Sequence, residues 1–344
     1  MTVKLRRVLQ YLALAVIAFF LGWALYGNWE KVRTYRWSFD YPLLVLSLAA
    51  MLASLSLYAW QWRFSLQKLG AAISFPKVWR IYFVANLGRY IPGKVWQFMG
   101  WFYLLEQEGV SPVQTLPNIA INQVIQNMTG LVLAFIVLAG LRAAELSEWL
   151  LPLLVLVPLG LIVIQPPVLE KLLNWGLRLF RRRPVVIELT AWDLACFTAV
   201  HFIIWLCYGL AFYLFTRALY PVPLERLPAL VGIFAGAWVI GFLSFLAPGG
   251  LGVREGVLVY LLGFCLPSHV AIVVTLLSRL WVTAAELMGT ALAFGLDGLA
   301  RSQCRLKSFD RPFDCAQDKL YEGPAKGSRS YEKEGDSSSL RSSE

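Results

Sequence analysis

Asn86-Leu87-Gly88-Arg89-Tyr90-Ile91-Pro92-Gly93-Lys94 interrupts an apolar block over residues 78–105. A second stretch, Ala247-Pro248-Gly249-Gly250-Leu251-Gly252-Val253-Arg254-Glu255-Gly256, interrupts another over 227–266. Proline removes a backbone donor and glycine weakens a helix, so a Pro-Gly pair at membrane depth leaves backbone groups that hydrocarbon has no means of satisfying. Such backbone is tolerated only where it is buried in protein or lines water. Each break therefore predicts a re-entrant hairpin, two half-helices that meet at the Pro-Gly pair near mid-membrane and return to the side they left.

Composition says that the surroundings are a membrane. Of 344 residues, 58% are hydrophobic and 15% charged, against about half and about a quarter in soluble domains. Unbroken apolar segments at 8–27, 42–60, 116–141, 149–165, 192–219 and 269–296 are long enough, at about 1.5 Å per residue, to cross a hydrocarbon layer of roughly 30 Å or most of it. The expected fold is an all-α polytopic integral membrane protein of about six spanning helices plus two re-entrant hairpins, six to eight spans depending on how the hairpin limbs are counted. The segment 8–27 follows Lys4, Arg6 and Arg7 and has no clear small-residue cleavage site, so it reads as a retained first span and not as a signal peptide.

Loop charges set the expected orientation, because Lys and Arg collect on the cytoplasmic side. With Lys4, Arg6 and Arg7 inside, the loop holding Arg63, Lys68, Lys77 and Arg80 is inside after two crossings. A re-entrant 78–105 then puts Arg181, Arg182 and Arg183 inside as well, and a second hairpin entering from outside leaves both termini cytoplasmic. Lys31, Arg33 and Arg36 fall outside, against the rule. Two breaks entering from opposite sides, at comparable places in the two halves, fit an inverted-topology duplication, although no residue-level repeat accompanies them. The expected organisation is a membrane domain over 1–300 and a disordered cytoplasmic tail over 301–344, where Ser, Asp, Glu, Lys and Gly dominate.

Several functions are excluded or disfavoured. The net charge of +10 is scattered through loops beside spans, which reports orientation and argues against a nucleic-acid partner. Five cysteines form no CxxC pair, and His201 and His269 are the only histidines. A metal centre, a histidine-based triad, a cofactor or another catalytic set is therefore not expected. His201 reads as a satisfied buried imidazole and His269 as a span-end residue. The absence of a GxxxxGK[ST] match argues against direct ATP drive.

Six ionisable residues lie inside apolar segments: Arg89, Lys94, Arg254, Glu255, Arg279 and Glu286. Unpaired at mid-span they would together cost on the order of 15 kcal/mol or more. Four are cationic and two anionic, so the formal excess is two positive charges, which an anionic lipid headgroup phosphate would balance. Half-helix N-termini after Pro92-Gly93 and Pro248-Gly249-Gly250 would aim N–H groups and dipole ends at the same cavity. Arg279 and Glu286 are seven residues apart on one helix face. Arg254 is the expected headgroup ligand, and Glu255 orients it or pairs with another cation. A plainer reading makes Arg254, Glu255, Arg279 and Glu286 an internal ion-pair network, and lets Arg89 and Lys94 snorkel to the cytoplasmic interface. Asn118, Asn122 and Gln126, with Gln123 and Asn127 alongside, give one span a polar face that serves interhelical hydrogen bonding or a headgroup path. Trp and Tyr near span ends, including Trp23, Tyr26, Trp29, Trp37, Trp60 and Trp62, read as interface anchors.

Asn86-Leu87-Gly88-Arg89-Tyr90-Ile91-Pro92-Gly93-Lys94-Val95-Trp96-Gln97 and Phe245-Leu246-Ala247-Pro248-Gly249-Gly250-Leu251-Gly252-Val253-Arg254-Glu255-Gly256, followed by Ser278-Arg279-Leu280-Trp281 and Glu286, resemble the lysylphosphatidylglycerol synthase transmembrane region, a flippase-like family. The resemblance covers about 8–296. It implies a bacterial or archaeal cytoplasmic-membrane protein with a lipid-facing cavity and two re-entrant elements, related to the part that flips aminoacylated phosphatidylglycerol. Carried over by position, the implied site is Asn86, Arg89, Pro92, Gly93, Lys94, Gln97, Pro248, Gly249, Gly250, Gly252, Arg254, Glu255, Arg279 and Glu286. Asn122 and Gln126 complete the candidate substrate-binding set. The full synthase carries a soluble aminoacyl-transfer domain after its membrane region, and 301–344 is too short for one. The expected function is movement of an anionic or aminoacylated phospholipid, or a lipid-linked phosphate, between leaflets. The expected partners are membrane lipids and a separate lipid-modifying enzyme. The alternative is a membrane-embedded enzyme or accessory subunit of glycolipid or polyprenyl-phosphate metabolism, with Glu255 or Glu286 as acid or base.

Overall fold

The computed structural model describes residues 29–35, 37–90, 95–141, 165–179, 189–244 and 252–310. All regular structure among the described residues is helical: α1 (Trp29–Thr34), α2 (Tyr41–Lys68), α3 (Phe75–Asn86) continued by a 3-10 turn (Leu87–Tyr90), α4 (Val95–Gln107), α5 (Pro112–Leu141), α6 (Pro166–Leu179), α7 (Ala191–Leu219), a 3-10 turn (Leu224–Arg226), α8 (Leu227–Leu243), α9 (Val253–Leu262) and α10 (Ser268–Asp310). Tyr41–Lys68, Pro112–Val137, Ala191–Leu219, Leu224–Leu243 and Ser268–Gly295 are each long and apolar enough to cross a bilayer. The chain is thus an all-α polytopic membrane protein. The spans expected over 8–27 and, apart from Gln165, 149–165 lie outside the described residues, as do Arg181, Arg182 and Arg183. Two units divide the chain, 1–294 and 295–344. In the second, helix continues to Asp310, past the Arg301 boundary expected for a disordered tail, and 311–344 lie outside the described residues.

Local signals place the helix ends. The Asp40 side chain accepts the Leu43 N–H at 3.1 Å and Pro42 sits in the first turn of α2, a preorganised N-terminus. At the other end Gly70 takes φ 79°, while Ala71 N–H reaches the Leu66 carbonyl and Gly70 N–H the Gln67 carbonyl, at 2.9 and 3.0 Å. That is a Schellman stop. α2 therefore runs about two turns past the apolar pattern that ended at Trp60. Those turns explain a correction: Trp62, read as an interface anchor, is fully buried with its ring 4.4 Å from that of Trp101. Trp29 and Trp60 stay exposed, as an anchor should, and Trp23 and Tyr26 lie outside the described residues.

Ion pairs at the helix ends establish direction. Lys68 Nζ meets Asp193 Oδ1 at 2.8 Å, tying the end of α2 to the start of α7. Asp40 N–H donates to the Ala218 carbonyl at 3.0 Å, so the two helices are antiparallel over their length. Beside Lys68, Lys77 and Arg80 at the start of α3 each hold Glu108, just past α4, at 2.8 Å. α3 and α4 therefore form a hairpin opening at this basic end, and with 12 and 13 residues each is about 18–20 Å long, short of a roughly 30 Å core.

The other broken region opens at the opposite end. There the Tyr35 ring lies 6.2 Å from Tyr220, which caps α7, and 5.5 Å from His269, which starts α10. α8 returns along α7, with Gly209 against Val231, and α9 returns along α8, with Gly241 against Arg254 and Gly236 against Leu261. The expectation of a half-helix fails here for the first limb. Leu224–Leu243 is long enough to span, and only α9, at 10 residues and about 15 Å, is short. The reason lies in α8 itself, which is apolar on every side and central, with Leu230, Ile233, Phe234, Ala235, Ala237 and Val239 buried among α5, α7 and α9. A helix without a polar stripe is at home in a core.

Candidate functional site

Both broken regions deliver charge to one cavity of about 120 Å³. That is well above the roughly 10–15 Å³ that a cavity needs to hold a single water. The first region supplies Asn86, Arg89, Tyr90 and Gln97, and the second supplies Arg254. α5 contributes Gln123, Gln126 and Asn127, and α10 contributes Arg279.

Two interhelical ion pairs attach the breaks to α10. Arg89 Nη1 meets Glu286 at 3.0 Å, and the Tyr90 hydroxyl donates to the other Glu286 oxygen at 2.7 Å. Arg89 Nε also donates to the Asn86 carbonyl at 3.2 Å. Snorkelling to an interface is thereby ruled out for Arg89, whose guanidinium is held by a fully buried carboxylate. One helix face presents both Arg279 and Glu286, as their spacing requires, but each faces a different break. Arg279 Nη1 reaches Glu255 at 2.8 Å. Glu255, at the start of α9, also accepts the N–H of Gly252, which sits at φ 80°, a left-handed conformation that glycine adopts without strain. That carboxylate therefore already occupies part of the helix N-terminus that the half-helix reading offered to a ligand.

Arg254 is left over. It is 6% exposed, its Nη1 comes only within 3.6 Å of Glu255, and its Nε and Nη2 have no hydrogen-bond partner among the described residues. Its guanidinium carbon lies 5.2 Å from the Trp238 ring centroid and 5.5 Å from that of Phe234. The opposite break brings Arg89 to 5.7 Å from the same Trp238 ring. One indole thus holds two guanidiniums by cation–π attraction, while the two carboxylates are committed to pairs. Among the described residues the surplus is one positive charge, that of Arg254.

The amide stripe divides. Gln126 is buried and lines the cavity, with its Oε1 unpartnered and its backbone carbonyl accepting from Trp205 Nε1 at 2.9 Å. Gln123 and Asn127, left out of the candidate set, line it too. Asn122 does not. One turn earlier, it donates to Ser65 Oγ of α2 at 2.8 Å and to the Asn118 carbonyl at 2.9 Å, and Ser65 also bonds Asn118. Asn122 is withdrawn from the site and assigned to helix packing. Gln97 Nε2 donates to Asn86 Oδ1 at 2.6 Å, bridging the two limbs of the first hairpin. Pro92, Gly93, Lys94, Pro248, Gly249 and Gly250 lie outside the described residues.

Sequence reasoning missed the aromatic wall. Tyr58, Tyr82, Tyr208, Phe98, Trp101 and Trp238 line the cavity, where interface anchoring had been expected to account for nearly every Tyr and Trp. Position was the available signal for Tyr208 and Trp238, which sit well inside their apolar segments, but not for Tyr58, two residues before the end of the segment read as 42–60. His201 is buried as expected, its Nδ1 on the Phe197 carbonyl at 2.7 Å and its ring edge-on to Tyr58.

Fold and site together define a polytopic helical membrane protein with a charged, aromatic-walled cavity where two chain breaks converge. The family model of the lysylphosphatidylglycerol synthase TM region matches residues 10–285, and the chain belongs to that family. Comparison with curated proteins returns no match. Family membership makes this a multi-pass membrane protein related to lipid metabolism or lipid flipping.

Proposed function

We propose that the chain is a lipid translocase that takes the phosphate of an anionic lipid headgroup onto Arg254 while the acyl chains stay in the bilayer. One observation carries this reading: a buried guanidinium that lines a cavity, with two nitrogens unpartnered and only a 3.6 Å contact to Glu255, a carboxylate that Arg279 holds more closely at 2.8 Å. Leaving such a charge unpaired is expensive, and a phosphate oxygen pair matches the guanidinium fork. Entry of the two breaks from opposite ends of the bundle is what alternate exposure of a fixed central site uses. In this reading the end carrying Lys68, Lys77 and Arg80 faces the cytoplasm, the protein sits in the cytoplasmic membrane, and a separate enzyme modifies the headgroup. The enzyme alternative loses its acid and base, because Glu255 and Glu286 are each held by an arginine.

Reconstitution tests it. Purified protein in liposomes, with acyl-labelled anionic lipid and a membrane-impermeant quencher outside, should expose inner-leaflet label that Arg254→Ala leaves protected. Equal protection with the wild-type chain, the variant and empty liposomes would end the translocase reading.

A further inference from the structure

We infer that the headgroup this cavity accepts is a monoanionic phosphodiester ending in neutral hydroxyls, a glycerol, inositol or sugar, and not an aminoacylated, amine-bearing one. The inference rests on reading the cavity as a lipid-headgroup site. Its first support is charge. Three arginines line the cavity, and both acids near them are spent on Arg89 and Arg279, so among the described residues one positive charge awaits one negative charge. A headgroup amine brought here would find no free carboxylate, and like charges in a low-dielectric site repel strongly. The Trp238 indole, on the cavity wall beside Arg254, already carries two guanidiniums.

Hydrogen-bonding capacity supplies an independent support. Gln126 Oε1 is a buried acceptor without a donor, and the Asn86 Nδ2, beside the Tyr82 hydroxyl, has no aligned acceptor. A hydroxyl both donates and accepts, so it satisfies the two kinds of atom that an ammonium or a methyl cannot satisfy together. Gln123, Asn127 and the Tyr58 and Tyr208 rings continue this lining. Amides and phenols beside aromatic faces form a neutral, hydroxyl-matching surface next to a single phosphate ligand.

Native mass spectrometry of the full chain in detergent reads the preference directly. An equimolar mixture of dioctanoyl phosphatidylglycerol, phosphatidylmethanol and lysylphosphatidylglycerol separates hydroxyls from charge, since the first two share one negative charge. A second pair, farnesyl phosphoglucose and farnesyl methyl phosphate, repeats the contrast on a polyprenyl tail. Retention of the hydroxylated lipid about tenfold over its methyl counterpart, with the lysylated lipid weakest, is the expected result, and the tail on which it appears names the carrier. Gln126→Leu should erase that tenfold preference, bringing retention of each hydroxylated lipid down to that of its methyl counterpart. Equal retention of hydroxylated and methylated lipids on both tails, or strongest retention of the lysylated lipid, would overturn the inference whether or not any variant folds. A headgroup preference without transport in liposomes would remove the translocase and keep this assignment, and transport without preference would do the reverse.

Discussion

At the residue scale, Arg89 and Arg254 are both buried guanidiniums, yet they should respond in opposite ways to removal. Arg89→Met strands the fully buried Glu286, whose carboxylate then keeps the Tyr90 hydroxyl as its hydrogen-bond donor. Breaking a buried pair in this way costs roughly 3–5 kcal/mol, so a marked fall in melting temperature is expected in detergent. Arg254→Met strands nothing, since Glu255 keeps Arg279 at 2.8 Å. It should hold or raise the melting temperature while abolishing lipid binding, the pattern of a site that gives up stability for function. Equal destabilisation by the two substitutions would show Arg254 to be a structural ion-pair partner. Asn122→Leu is a third case. Its bonds join α5 to α2, so it should lose about 1 kcal/mol of stability with transport unchanged. Transport loss at normal stability would return Asn122 to the site. The charges inside apolar segments were legible residue by residue, because hydropathy is local. Their pairing was not: Arg279 and Glu286 share a face of α10 but are drawn to different partners, and nothing along one helix shows which neighbours it will meet.

At the element scale the packing depends on small residues where helices touch. A Cβ on Gly209 would stand 2.8 Å from the Cα of Val231, so α7 and α8 would have to separate. Gly209→Ala should therefore destabilise by about 1–3 kcal/mol, read as a lower melting temperature. At Gly241 the added Cβ would lie 2.7 Å from that of Arg254. Gly241→Ala should push the start of α9 away from α8, weakening lipid binding several-fold with a smaller effect on the melt. A binding defect no larger than that of a distant control would show that the α8–α9 contact does not position Arg254. The start of α2 agrees with the apolar pattern from 42, whereas that pattern ends at Trp60, about two turns before the helix does at its Gly70 stop, because the last turns carry polar residues. The length of α8 was misjudged, since an apolar run next to a break reads equally well as a half-helix and as a full span until its neighbours are known.

At the scale of the whole molecule, Lys68, Lys77 and Arg80 define one end of the bundle and Asp40, Tyr220 and His269 the other. Single cysteines introduced at Lys77 and at Pro223, in a background freed of native cysteine, should label from opposite sides of an intact membrane, Lys77 only from the cytoplasmic face. Labelling of both from one side would refute the orientation. The amino-acid order alone settles that this chain lives in a bilayer, that it does so as helices, and that it breaks twice, because apolar run length, missing backbone donors and buried charge each act within a few residues. Folding decides the rest: that helices beside the two breaks run in from opposite ends yet bring Arg89 and Arg254 to one indole, that Trp62 turns inward, that tyrosines wall the cavity, and that Arg254 shares Glu255 at 3.6 Å with a closer Arg279. Those outcomes depend on which distant helices come within a few ångströms of one another, and a Coulomb or hydrogen-bond partner is chosen only at that distance.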